Sequence, residues 1–245
     1  MGRLACEGNH HARAERRRDR RQQGHRAGSR PSGTGARCAR HHCGPRGEAA
    51  LAAAAAAIPG LETAVVDAAD AASVRALFAR FDTVDHVYHS AGTFVGGPAS
   101  GDVAAYRAAI EPRIFGIAHL VAATEGKIPA GGSITLTGGV STDRPAKGAW
   151  ITNVGTAAAE QSARALALDL APVRVNAVAP GWTDTPMWEG LLGEDRHAAF
   201  ADVAATLPVG HIAAAADVAG AVLFLMNNCS VTGEIVHVDG GHRLI

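Results

Sequence analysis

Small polar residues follow five short apolar runs of this sequence, in the stretches VVDAAD, HSAG, LTGG, VAPGWTDTP and VDGG. Glycine, serine, threonine and aspartate at such places let a ligand approach the backbone closely and offer it hydrogen bonds. Turns between strands and helices need glycine in any case, so one such stretch alone identifies nothing. The order and spacing of all five together indicate a ligand-binding edge.

The elements that must carry these turns are strands that alternate with helices. Helical apolar spacing and alanine-rich composition predict helices at 48–58, 71–81, 102–124, 152–171 and 215–226. Short β-rich runs predict strands within 61–67, 85–92, 132–139, 173–181 and 233–241. The alternation predicts an α/β fold in which helices cover both faces of a doubly wound parallel sheet. Right-handed crossovers then bring the carboxyl end of every strand, and with it every polar turn, to one edge.

From residue 48 to the end, the motifs resemble those of the short-chain dehydrogenase/reductases. VRVNAVAPGWTDTP is similar almost letter for letter to a family motif, HSAG takes the place of the family's NNAG, and GEIVHVDGG also matches. The resemblance implies a Rossmann-like fold and an NAD(P)-dependent oxidoreductase that acts on a hydroxyl or carbonyl group of a small molecule. It also implies that cofactor contacts come from Asp67, Ser90, Ala91, Gly92, Pro180, Gly181, and Thr183 or Thr185.

The family's catalytic set is missing at the matching positions. The family uses a serine, a tyrosine, a lysine and a helix asparagine for general acid–base catalysis. Those positions hold Gly139, Thr152, Thr156 and Arg113 here. A threonine hydroxyl is a poor proton donor, because its pKa lies far above the value of about 10 of a tyrosine. We therefore expect either a divergent catalytic set that the sequence does not identify or a non-catalytic, nucleotide-binding relative of the family.

No other tyrosine or lysine obviously fills these roles. The only tyrosines are Tyr88 and Tyr106, and the only lysines are Lys127 and Lys147. Five other polar residues could gather near the site: His89, Asp143, Arg144, Asn153 and Asp184. Each of them alone is typical of a solvated loop.

The first 47 residues look foreign to this fold. Residues 1–48 hold twelve arginines and four acidic residues, whereas the rest of the chain is acidic. They supply neither the apolar first two strands nor the TGxxxGxG turn with which the family binds the pyrophosphate. Reading the codons of Asp19–Ala27 one base forward permits TGGSRGIG, and the same shift of HHCGPR permits TIAGR. We therefore interpret 1–47 as a disordered, out-of-frame segment and 48–245 as the oxidoreductase domain, with the first two strands missing from the chain.

This interpretation carries an expectation about the cofactor. In the family, an arginine placed as in the shifted TIAGR favours NADP over NAD through its 2′-phosphate. Because the chain as it stands lacks the pyrophosphate-binding turn, we expect it to bind a dinucleotide weakly.

Further expectations concern partners and place. A basic arm that binds nucleic acid is the least favoured interpretation, because the charge of the first 47 residues is its only support. The run CARHHC is too crowded for the usual zinc spacing, so no metal is expected. Three of the four cysteines lie in the first 48 residues and do not form the pattern of a disulfide framework, which favours a reduced, cytoplasmic compartment. No secretory signal and no membrane-spanning apolar run occur, so we expect a soluble protein. The C-terminal match implies a homo-oligomer, a dimer or a tetramer, because that region packs between subunits in the family.

Overall fold

Residues 47–245 are described by a computed structural model. Its α-helices are α1 (Gly47–Ala57), α2 (Ala71–Phe78), α3 (Val103–Thr124), α4 (Trp150–Asp169), α5 (Met187–Leu192), α6 (Arg196–Thr206) and α7 (Ala215–Asn227). Its strands are β1 (His86–His89), β2 (Ser133–Thr137), β3 (Arg174–Pro180), β4 (Thr183–Asp184), β5 (Ala213–Ala214) and β6 (Ile235–Val238). The five helices predicted from the sequence are all present. The predictions over residues 1–46 lie outside the described residues.

Four parallel strands form the sheet, in the order β1-β2-β3-β6. In the register, His86 is level with Ser133, Ser133 with Arg174, and Ala177 with Ile235. The doubly wound α/β fold predicted from the sequence is therefore confirmed. A second, two-stranded parallel ladder joins β4 to β5.

The strand predicted over 61–67 is wrong. These residues belong to no strand of the structure, although Val66 is buried and packs into the core. A strand is held by hydrogen bonds to a neighbour, and within residues 47–245 the sheet ends at β1. The family's first two strands would separate this segment from β1, and the positions at which they would fall lie outside the described residues.

Side chains alternate between two cores on either side of β3. Val175, Ala177 and Ala179 face the larger core, which is built with α2, α3 and α4. Val178 points the opposite way, into a smaller core beneath α7. This period of two is what a strand covered on both faces requires, and it explains why β3 reads as almost continuously apolar.

Short polar side chains begin the helices that follow the polar turns. Asp70 accepts hydrogen bonds from the backbone N–H groups of Ala72 and Ser73 at the start of α2. Asp102 accepts one from Ala104 at the start of α3. Such caps satisfy amide groups that have no partner within the helix.

Arg174 joins the amino end of β3 to the carboxyl end of α7. Its buried guanidinium donates to the carbonyl oxygens of Leu225 at 2.6 Å and Met226 at 2.8 Å, and also to those of Val231 and Gly131. A cation at a helix carboxyl end meets unpaired carbonyl groups and a favourable dipole. Burial lowers the pKa of this guanidinium, and the four carbonyl oxygens compensate for the lost water.

Candidate functional site

The polar turns meet at the carboxyl edge of the sheet, as the topology requires. Gly138 donates its backbone N–H to Val178 at 2.9 Å, and Gly181 donates its own to Val238 at 3.0 Å. A Cβ at Gly181 would lie 2.8 Å from the Cα of Asp239, so only glycine allows this approach of two turns. The turns after β2, β3 and β6 thus form one continuous edge.

The turn that holds Asp67 lies beside the end of β1. Gly116 of α3 lies between the turn and the end of β1. A Cβ at this position would lie 3.2 Å from the Ala68 carbonyl oxygen and 3.4 Å from His89 Nε2. The Asp67 carboxylate is exposed and accepts a hydrogen bond from the backbone N–H of Ala69 at 2.9 Å. Asp67, which the family resemblance assigns to the cofactor, is therefore near the HSAG turn.

In the HSAG turn, Ser90 is exposed, Ala91 is buried, and Gly92 has a φ of +140°, which side chains with a Cβ rarely adopt. This part of the edge has the small residues and open backbone that a flat ligand needs.

The structure distinguishes the two threonines of the turn after β3. Thr183 is buried, and its hydroxyl donates to the Gly181 carbonyl oxygen at 3.2 Å. Thr185 is half-buried, and no residue of the described part accepts from or donates to its hydroxyl. Thr185 is thus the freer group for a ligand beside Pro180 and Gly181.

Thr152, at the family's tyrosine position, is a structural residue. Its buried hydroxyl accepts from the backbone N–H of Val95 and donates to the carbonyl oxygen of the same residue, both at 3.0 Å. A hydroxyl that is saturated in this way fixes the loop after β1 to α4. It has no free proton for a substrate.

Thr156, at the family's lysine position, is also engaged. Its hydroxyl donates to the Asn153 carbonyl oxygen at 2.9 Å and lies 3.0 Å from the Ser141 hydroxyl. At the serine position, a Cβ on Gly139 would lie 3.0 Å from Cγ2 of Thr156. Ser141 is therefore the serine hydroxyl that the structure places beside this position, two residues later than the family alignment puts it.

The turn after β2 is shaped by Glu160, a residue that the sequence did not single out. The carboxylate is 2% exposed, and its Oε1 accepts from the Gly139 N–H at 3.1 Å and from the Thr142 hydroxyl at 2.8 Å. A glutamate among small residues of α4 carries no sequence signal for this role, because the bonds cross to another element.

Neither tyrosine replaces the missing one. Burial raises the pKa of Tyr88, which is opposite to the shift that a tyrosine proton donor needs near neutral pH. The Tyr106 hydroxyl is buried and donates to the Pro98 carbonyl oxygen.

The fourth position brings a cation to the site. Arg113 of α3 extends between Gly92 and Gly155 of α4, and burial lowers the pKa of its guanidinium. The sequence marks this residue only as a missing asparagine, because nothing in the sequence shows that two glycines make room for a longer side chain.

Two of the other predicted polar residues join the edge. Asp143 Oδ2 lies 2.8 Å from His237 Nε2, and Arg144 donates to the His242 carbonyl oxygen at 2.9 Å. Asp239 is also fixed here. Burial raises its pKa, but hydrogen bonds from Arg243 and from the Gly241 N–H outweigh that effect and hold the pKa below its usual value.

An aromatic cluster, which the sequence analysis missed, covers the segment after β3. Trp182 and Trp188 stack with ring centroids 4.2 Å apart and planes 7° from parallel. Phe200 meets both edge-on at 6.2 Å, and Phe94, from the loop after β1, lies 6.5 Å from Trp188. Arg196 lies over the Phe200 ring and pairs with Asp184. These rings join the loops after two strands into one apolar wall.

Two structural features are absent from residues 47–245. No group of three histidine, cysteine, aspartate or glutamate side chains there is arranged to hold a metal ion. No helix in that range is both long and apolar enough to cross a membrane.

The residues present fit the nicotinamide end of a dinucleotide. The Pro180–Gly181 turn packs closely against Asp239 and carries no side chain at Gly181, and the Thr185 hydroxyl has no hydrogen-bond partner among the described residues. The position of the family's pyrophosphate-binding turn lies outside the described residues.

Comparison with known proteins identifies the family. The family model described as enoyl-(acyl carrier protein) reductase matches residues 25–243. Cis-4-hydroxycyclohexanecarboxylate dehydrogenase of Sinomonas cyclohexanicum is 34% identical over 183 residues, which are 68% of this chain and 69% of that protein. A short-chain dehydrogenase/reductase of Stachybotrys chlorohalonatus is 42% identical over 109 residues, but the match spans only 43% of its length.

Solved structures agree with this result. A small-chain dehydrogenase in complex with NADPH is 30% identical, has a TM-score of 0.72, and is matched over 80% of this chain and 93% of its own. The MalC reductase/Diels-Alderase of Malbranchea aurantiaca shares the fold with a TM-score of 0.78 over 86% of this chain and 88% of its own, at 24% identity. From its motifs, its sheet and these matches, the chain belongs to the short-chain dehydrogenase/reductases, a family of NAD(P)-dependent oxidoreductases.

Proposed function

We propose that this chain binds NAD(P) along the carboxyl edge of the sheet and oxidises or reduces a small alcohol or carbonyl compound. The observation that carries the proposal is the free Thr185 hydroxyl beside the Pro180–Gly181 turn, on the same edge as Gly92. A bound nicotinamide supplies or accepts the hydride. The chain's own residues orient it and exclude water.

The proton that accompanies the hydride must be exchanged with a group other than Thr152. Among described residues, the Asp143–His237 pair at the same edge is a candidate, because an imidazole ring has nitrogen atoms that can donate or accept a proton in a hydrogen bond. Its exchange with a substrate oxygen would balance the reduction of a carbonyl to an alcohol.

A second proposal is a non-catalytic nucleotide-binding relative. It is supported by Thr152, whose hydroxyl bonds Val95 twice, and by the raised pKa of Tyr88. The two proposals differ in turnover and not in nucleotide binding.

Nucleotide fluorescence and turnover together separate the two proposals. NADPH and NADH are titrated, and then cofactor oxidation is followed with a panel of ketones. The reverse reaction uses cis-4-hydroxycyclohexanecarboxylate with NADP⁺ and NAD⁺, because the Sinomonas relative is named for that compound. Turnover supports the oxidoreductase, and binding without turnover supports the second proposal.

We also propose that the chain prefers NADP over NAD as its cofactor.

We further propose that residues 1–47 are read out of frame. The titration is therefore repeated on a chain whose residues 10–46 are read one base forward. Weak binding by the present chain and tight binding by the re-read chain are expected, and sequencing the coding DNA checks the codons of Asp19–Ala27 directly. Tight NADPH binding by the present chain would refute the expectation.

We also propose a cytoplasmic homo-oligomer. Its C-terminal part exposes apolar side chains on α7 and beyond, with Leu223 56%, Phe224 51% and Leu244 73% exposed. A second copy of the chain is the proposed occupant of this face. Light scattering on the purified protein is expected to show a dimer or tetramer that Phe224→Glu dissociates.

A further inference from the structure

Arg113 occupies a space made for it by two glycines. A Cβ at Gly92 would lie 2.6 Å from its Nε, and a Cβ at Gly155 would lie 2.8 Å from its Cδ. Gly92 follows β1 at the ligand-binding edge, and Gly155 precedes Thr156 in α4. The guanidinium therefore enters the site from α3, next to the position where the family carries a lysine.

This guanidinium has no acceptor among the described residues. Its Nε is buried without a hydrogen-bond partner, and no described carboxylate or carbonyl oxygen accepts from its other nitrogens. Arg174 also has a buried Nε without a partner, but its Nη groups donate to four carbonyl oxygens, and Arg243 pairs with Asp239 at 2.8 Å. Arg113 as a whole is half-buried, and an arginine stays charged in proteins, so burial of its Nε without an acceptor is costly.

We propose that Arg113 binds the carboxylate group of the substrate through its Nη groups. A planar guanidinium matches a planar carboxylate, and one guanidinium balances one negative charge. A phosphate dianion would leave excess charge, because no second described cation shares this space. The wall formed by Phe94 and Trp188 begins two residues after Gly92 and suits an apolar body attached to the carboxylate.

The inference deepens the proposed function by naming its substrate class, and it rests on that function only for calling the ligand a substrate. Binding itself needs no hydride transfer. It is therefore tested without a nucleotide.

Calorimetry on the purified chain compares cyclohexanecarboxylate with its neutral isostere, cyclohexanecarboxamide. A hydrogen-bonded charge pair strengthens binding by about 10- to 100-fold, so the carboxylate is expected to bind more tightly by that factor. Arg113→Gln is expected to remove the preference, and Arg113→Lys to retain part of it. Arg107→Gln is the matched control, because Arg107 is an exposed arginine of the same helix.

Equal affinity for the carboxylate and the amide in the unaltered protein would overturn the proposal, even if Arg113→Gln failed to fold. So would retention of the preference in Arg113→Gln, or its loss in Arg107→Gln. If Arg113→Gln weakens NADPH binding and leaves carboxylate binding unchanged, the guanidinium serves the nucleotide and the proposal is wrong. Carboxylate binding through Arg113 without any turnover would sink the proposed oxidoreductase function alone.

Discussion

Replacing Glu160 with alanine should destabilise the protein about twice as much as replacing it with glutamine. Its Oε1 accepts two hydrogen bonds, from the Gly139 N–H and the Thr142 hydroxyl, in a setting that is 2% exposed. Each hydrogen bond to a charged group contributes about 1.5–3 kcal/mol, so Glu160→Ala should cost about 3–6 kcal/mol. Glu160→Gln keeps an acceptor of the same shape, but a neutral bond is about half as strong, which gives about 1.5–3 kcal/mol.

Urea unfolding followed by tryptophan fluorescence measures both changes through the midpoint and the slope m. Glu189→Ala is the matched control, because its exposed carboxylate lies 3.5 Å from Arg196 and such surface pairs contribute about 0–1 kcal/mol. The reasoning fails if the alanine and glutamine variants of Glu160 have equal stability, or if Glu160→Ala costs no more than the control.

Three further predictions use the same unfolding assay. Gly181→Ala should cost about 1–3 kcal/mol, because the new methyl group meets the backbone of Asp239. Gly220→Ala should stabilise the protein by about 0.5–1 kcal/mol, because nothing lies within 4 Å of the new methyl group and α7 gains a helix former. If Gly181→Ala were the more stable of the two variants, this account of the edge would be contradicted. Thr152→Val should cost about 1–3 kcal/mol by leaving both backbone groups of Val95 unpaired, and an unchanged midpoint would show that the loop is held otherwise. Asp239→Asn should lose stability at pH 7, and the difference from the unaltered protein should shrink as the pH falls below about 3.9. The folded pKa of Asp239 lies below its unfolded value, so the contribution of the carboxylate is fully present above the unfolded value and is lost as the pH falls through the folded pKa. A difference that stays constant throughout this acid range would refute the charge argument.

Strand β3 shows what the sequence could predict. Its run RVNAVAP has no charged residue after the first, its side chains alternate between two apolar cores, and a Pro-Gly turn ends it. These are local signals, and they locate Pro180 and Gly181 at the ligand edge without any knowledge of the rest of the fold. The strand predicted at 61–67 has similar local signals, but a strand also needs a neighbour.

The parts that the sequence did not predict depend on contacts between distant elements. Helices α5 and α6 are short, and their region is ordered by the stack of Trp182 on Trp188, whose partner Phe200 lies twelve residues further on. Arg113 appears in the sequence as the loss of an asparagine. Its use as a cation emerges only when Gly92 and Gly155 come together around it, because no spacing rule connects these three positions.

The four carbonyl oxygens around Arg174 have a consequence for how the molecule opens. Two of these acceptors end α7, and a third, on Val231, precedes β6, so one side chain restrains both elements at the same time. Native-state opening tends to occur in cooperative units, and we expect this restraint to make residues 215–238 one such unit. Amide protons of α7 and β6 should therefore exchange with solvent through a shared opening with one common free energy. Fraying that begins at the carboxyl terminus should not spread through these two elements while the hydrogen bonds of Arg174 are in place.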